Sequence, residues 1–219
     1  MNVRLTFLYQ TRAPLSHIGE SISTETYLVQ HPILQPDGRI EDVFAYSGNA
    51  VRGQWRDLAA IYMLEKLGNA RVPLEIFHLL FSGGKIGGDQ KNDIAALRAF
   101  RSTLPCFSIF GGGVGNQIIP GKLRVSCLYP LCREAIPMLP DDLHDKARGI
   151  EYRGMTFQAH YARKDDSKDV RLLPNLAEAE SLALEGNGGK RKPDDEVKQQ
   201  MRMTSELLAP GVLLYGECD

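Results

Sequence analysis

The chain has 219 residues, 43% hydrophobic content and a net charge of −1, with a pI of about 6.5. That is enough apolar material for one large domain, or one domain with a substantial insertion. The near-neutral balance excludes a free-standing, salt-driven nucleic-acid binder of the usual strongly basic kind, so any basic site must be local.

Val3 to Tyr9 alternates apolar and polar residues rich in strand formers and predicts a first strand. Pro14 ends it, and Leu15-Ser16-His17-Ile18-Gly19-Glu20 begins a long connection in which Tyr27 to Leu34 pairs briefly. Pro36-Asp37-Gly38 is a turn signal, because Pro and Gly supply the required dihedrals. Val43 to Tyr46 leads as a short strand into a helix from about Asn49 to Leu67, capped by Ser47 or Asn49 and stopped at Gly68-Asn69. On that helix Val51, Trp55, Leu58, Ala59 and Tyr62 recur at helical spacing and are expected to face the core, with Arg52 and Arg56 on the flank.

Leu74 to Phe81 predicts a short helix and Asp93 to Thr103 another, with the glycine-rich loop of Gly83, Gly84, Gly87 and Gly88 between them. Cys106 to Phe110 reads as a buried strand, and GGGVGNQIIPG, residues 111 to 121, as too glycine-rich for a regular element. Lys122 to Tyr129 alternates like a strand. From Met155 to Pro210 the texture changes. Thr156 to Tyr161 is extended, Arg163 to Asp169 is a charged tip, and EGNGGKRKPDD from Glu185 is polar and poor in packing residues. Gln199 to Leu208 returns to a Pro210-Gly211 turn, and Val212 to Tyr215 is a final strand. The sequence stops soon after that strand, where a compact sheet would need a further helix and strand. The expectation is a fragment or an unusually short version.

MNVRLTFLYQTRAPL lacks a signal pattern, and no apolar run approaches the ~20 residues that span a bilayer, which predicts a cytoplasmic protein with no membrane partner. Cys106, Cys127, Cys132 and Cys218 form no CxxC pair and read as reduced thiols, so no metal or other cofactor is expected. Pro120-Gly121-Lys122 is followed by Leu123 rather than Ser or Thr, and residues 111 to 121 lack GxGxxG, so neither nucleotide-binding motif is present. The glycines there make either a tight turn between strands or a place where backbone closely approaches a long ligand. His17 has no nucleophile in a triad-like context and reads as a packing or ligand-contacting residue rather than a general base. Lys190-Arg191-Lys192 is flanked by acids and reads as a solvated run. The cations Arg163, Lys164 and Lys168 sit at a tip that can lie along a phosphate chain. Arg52 and Arg56 are either ordinary flank residues or the forked donors that complete an anion site at a capped helix start.

The order of these pieces is a strand, the PLSHIG loop, the SGNAVRGQWRD helix, a glycine loop ending PGKLRV, a charged hairpin, and ELLAPG before a strand. It resembles the Cas-seven backbone subunits of CRISPR effector complexes, in the RAMP superfamily, and among them the type IV backbone subunit. The resemblance covers nearly the whole chain. It implies an α+β fold: a ferredoxin-like, RNA-recognition-type palm with helical insertions over residues 1–154, a protruding β-hairpin thumb over 155–210, and a returning palm strand over 211–219. It implies a subunit that stacks with copies of itself and with other effector subunits along a guide RNA, which pairs with a target strand. The RNA contacts it implies are His17, Ser47, Asn49, Arg52, Arg56, Gly112, Gly113, Asn116, Lys122, Arg163, Lys164 and Lys168. RNA-slicing relatives carry an aspartate after the HIG-like segment. Here Glu20-Ser21-Ile22-Ser23-Thr24-Glu25-Thr26 has none, which implies binding without cleavage and no catalytic residue. The alternative is a type III-like, metal-dependent endoribonuclease using Glu20 or Glu25.

Overall fold

The computed structural model describes residues 3–84, 94–114, 117–163 and 201–219. Asn116, Lys164, Lys168, Gly87, Gly88, most of the charged tip and the EGNGGKRKPDD stretch lie outside the described residues. The fold is mixed α+β, with several small sheets and helices. Among the described residues no helix is long and apolar enough to cross a membrane.

One sheet pairs an early strand with the last one. Strand β1 (Leu5–Gln10) pairs antiparallel with the last strand, β11 (Leu213–Cys218), from Leu5 opposite Cys218 to Gln10 opposite Leu213. Strand β8 (Tyr129–Pro130) adds to the other side of β11. Gly216 is opposite Phe7, and a Cβ there would lie 2.7 Å from the Phe7 ring, so the glycine makes room for that ring.

The predicted long connection is in fact two hairpins. Strand β2 (Ile18–Ile22) turns through Ser23, at φ 56°, into β3 (Glu25–Leu28). Strand β4 (Gln30–Leu34) turns through Gly38, at φ 86°, into β5 (Ile40–Phe44). Strands β9 (Thr156–Arg163) and β10 (Met201–Leu208) pair antiparallel from Thr156–Leu208 out to Arg163–Met201. Strand β10 also lies parallel to β3, giving the sheet order β2-β3-β10-β9.

Helix α1 (Gly48–Lys66) follows β5; helices α2 (Leu74–Phe81) and α4 (Pro105–Phe110) pack against its second half, and α3 (Ile94–Thr103) packs against α2 and α4 through Leu97 and Phe100. Helix α4 corrects the expected strand at Cys106 to Phe110. Pro105 occupies its first turn, where a missing N–H costs nothing, and Cys106, Phe107 and Phe110 fall on one buried side. A short buried apolar run is ambiguous between the two structures by pattern alone.

The glycine stretch is also regular. Strands β6 (Gly111–Val114) and β7 (Gln117–Pro120) form an antiparallel pair. The missing side chains allow close backbone approach: a Cβ on Gly111 (φ 75°) would lie 2.4 Å from the Gly121 nitrogen, and one on Gly84 2.1 Å from the Gly113 oxygen. Lys122 to Tyr129 is extended but makes only isolated bridges, Val125 to Cys218 and Leu128 to Tyr46, before β8.

Two elements between Arg133 and Arg148 drew no expectation from the sequence: a 3₁₀ turn at Arg133–Met138 and helix α5 (Asp141–Arg148). Together they close one side of the main core through Ala135, Leu139, Leu143 and Ala147.

The core face of α1 differs from the expected stripe. Leu58 and Tyr62 are 64% and 60% exposed, whereas Val51 and Ala60 are buried and Trp55, Ala59, Met63 and Leu64 pack at the edge of the cores. From Ala59 to Leu64 every residue is apolar or aromatic, so periodicity cannot choose a face. Packing by α2 and α4 against Ala60 does so.

Candidate nucleic-acid interface

The start of α1 is held by three separate contacts. Ser47 is the cap, with its Oγ accepting from the Ala50 N–H at 3.1 Å. The Ser47 N–H donates in turn to His17 Nε2 at 3.3 Å. Gly48 is pressed so close to the 125–126 segment that a Cβ would lie 2.1 Å from the Val125 oxygen. The exposed Asn49 therefore follows a fixed turn, and the Gly48 and Asn49 N–H groups have no acceptor among the described residues. No carboxylate occupies the first turn of α1. A helix start with free N–H groups and no acid of its own is an electropositive site.

The His17 ring lies 4.5 Å from the Tyr46 ring and edge-on to Phe44 at 6.4 Å. Burial lowers its pKa from the ordinary imidazole value. The neutral ring accepts through Nε2 and so carries its proton on Nδ1. His17 is thus both a packing residue and a prop for the helix start, and among the described residues no nucleophile is paired with it.

Arg52 and Arg56 prove unlike one another. Arg56 Nη2 donates to the Phe110 carbonyl at 2.8 Å and the Gly111 carbonyl at 3.0 Å, and its guanidinium lies 5.8 Å from the centre of the Phe110 ring. It ties α1 to the corner where α4 becomes β6. A Cβ on Gly83 would lie 2.6 Å from Arg56 Nη1, so a glycine is needed beside it. Burial first, and then the charge of Arg52, pull the Arg56 pKa below its ordinary value. Arg52 is half-buried and has no hydrogen-bond or ion-pair partner among the described residues. Two cations one turn apart, one of them without a partner among the described residues, concentrate positive charge on this flank of the helix, offset in part by Asp57 near Arg56.

Gly112 and Gly113 are committed to contacts within the chain. Gly112 packs on Phe107, and the Gly113 N–H donates to the Gly83 carbonyl at 2.6 Å. Lys122 is exposed at the end of this hairpin and unpaired among the described residues. The structure thus brings His17 and Ser47 together at the helix start, with Asn49 and Arg52 in its first turns, while Arg56, two turns further on, reaches Gly111 and Gly83, against which Gly112 and Gly113 lie. Arg163 ends β9, in the other sheet.

Glu20 and Glu25 flank the β2–β3 turn. Glu20 is opposite Tyr27, and the Glu25 carboxylate accepts from the Tyr27 hydroxyl. Among the described residues no group of three His, Cys, Asp or Glu side chains is placed to hold a metal ion. Sequence reasoning missed Glu206, whose carboxylate accepts from the Leu28 N–H at 3.0 Å and fastens β3 to β10. Its only signal was an acid in an otherwise strand-like return.

No family model matches the sequence, and no curated protein matches it. Among solved structures, a chain of a "Type IV-B CRISPR Complex" is similar over 99% of this chain and 72% of its own length, with a TM-score of 0.58 and 18% identity. At that identity the likeness is one of fold: this chain shares the fold of a CRISPR-complex chain.

Proposed function

We propose that this protein is a backbone subunit of a CRISPR effector complex, of the Cas-seven kind in the RAMP superfamily and closest to type IV. It binds guide RNA and presents it to a target strand without cutting. The observation that carries the reading is Arg52. It is a cation near a capped helix start, and among the described residues neither it nor the Gly48 and Asn49 N–H groups have a partner, in a chain that shares the fold of a Type IV-B CRISPR complex chain. A phosphate placed there would take the Gly48 and Asn49 N–H groups and the Arg52 fork together. Arg56 sets the geometry from behind.

In this reading the sheets around α1 form the ferredoxin-like palm, and β9 and β10 belong to the thumb. Copies stack along one guide in the cytoplasm beside other effector subunits, and base pairing selects the target while protein holds the backbone. Glu25 engages the Tyr27 hydroxyl at a surface turn, an arrangement suited to holding the turn. Hydrolysis would need a carboxylate or base held at the scissile phosphate.

The test is co-expression with a guide array, purification, and sizing and sequencing of bound RNA. Guide-length RNA is expected, and its absence would remove the proposal. Loaded complex is then incubated with labelled complementary RNA and DNA and magnesium or manganese. Intact strands are expected. Regular fragments that vanish in Glu25→Ala would make the protein a nuclease.

A further inference from the structure

The segment from Lys122 to Cys127 carries a second basic element. Leu123 and Val125 turn inward to the edges of two different hydrophobic cores, so Lys122, Arg124 and Ser126 turn outward and are exposed. The backbone is held from both ends: the Leu123 N–H donates to Ile109, and the Arg124 and Ser126 N–H groups donate to Asp219 and Glu217. Neither Lys122 nor Arg124 has an ion-pair partner among the described residues. Two carboxylates share this side of the strand pair. Glu217 is taken up by Arg4 at 3.9 Å and by the Tyr215 hydroxyl. Asp219, across from Arg124, makes no ion pair with it. The same segment crosses the start of α1, where Val125 meets Gly48.

We propose that Arg124 is a further phosphate-binding residue, and that with Lys122 it carries the nucleic-acid backbone from the start of α1 along the outer side of this segment. The proposal rests on the guide-RNA reading above. Residues two apart in an extended chain advance about 6.6 Å, a step comparable to that between neighbouring phosphates of an extended single strand. A rigid extended rail with cations at that interval suits a single strand and is indifferent to its bases.

The test uses full-length protein and a fluorescently labelled oligouridylate, with affinity measured across a salt series. Each phosphate neutralised on a single strand contributes about 0.7 to the slope of log affinity against log salt. Arg124→Ala and Arg52→Ala are each expected to reduce the slope by about that amount. Arg148→Ala, which removes a surface cation paired with Asp145, should leave it unchanged. A reduced slope in Arg52→Ala with an unchanged slope in Arg124→Ala would overturn this inference and leave the guide-RNA reading standing. Slopes equal to the wild type in both would overturn the reading as well. Arg124 is exposed and uses only its backbone in the fold, so its variants should fold normally.

Discussion

Arg56→Ala separates the two arginines most sharply. It deletes the donors to the Phe110 and Gly111 carbonyls and the guanidinium beside the Phe110 ring. Charge-assisted hydrogen bonds contribute roughly 1.5–3 kcal/mol each in favourable settings. Here one nitrogen serves both acceptors and the side chain is only half-buried, so the expected loss is about 2–3 kcal/mol in total. For a domain of this size that corresponds to a fall in melting temperature of about 5–10 °C. Arg52→Ala removes no bond within the described residues and should change stability by less than about 0.5 kcal/mol, while weakening RNA retention. Urea unfolding and thermal melts of both variants, without RNA, decide the matter. Arg56→Lys should fall between, since an ammonium does not reproduce the planar fork. An Arg56→Ala protein as stable as wild type, or an Arg52→Ala protein equally destabilised, would refute the division of labour between the two.

Ser47→Ala should cost about 1 kcal/mol through loss of the cap to Ala50, read as a lower urea midpoint. Because the folded-state pKa of His17 is lowered, its neutral form stabilises the fold fully above the unfolded value of about 6.5. That contribution is lost as pH falls from there toward the folded value, so the urea midpoint should drop between pH 7.5 and 5.5, and less steeply in His17→Gln. Gly111→Ala should destabilise by more than about 1 kcal/mol because of its positive φ and the close backbone around it, whereas Gly53→Ala, in open space on α1, should stabilise by about 0.5–1 kcal/mol. Paired melts would check both signs.

Local chemistry was sufficient for much of the secondary structure. The cap at Ser47, the stop at Gly68, the turn at Asp37-Gly38, helix α2 and the returning strands β10 and β11 each follow from residues within a few positions of one another. The glycine stretch, by contrast, pairs as two strands with Gly83 and Phe107 packed against it, and Cys106 to Phe110, ambiguous by pattern, is a helix with its buried side against α2 and α3. Helix α5 had readable signals, Asp141-Asp142 in its first turn and Lys146 and Arg148 in its last. Its place in the core depends on contacts with β4, β5 and β8 made through the preceding turn.

For the site, sequence alone placed two arginines one turn apart beside a capped helix start, because helical periodicity and capping are local properties. Tertiary structure alone decided that Arg56 is bound to carbonyls more than fifty positions away and that Arg52 has no partner among the described residues. It also decided that the Lys122–Ser126 segment crosses the same helix end. Which acceptors surround a side chain depends on how distant segments pack, and the pattern of residues along a single helix carries no record of them.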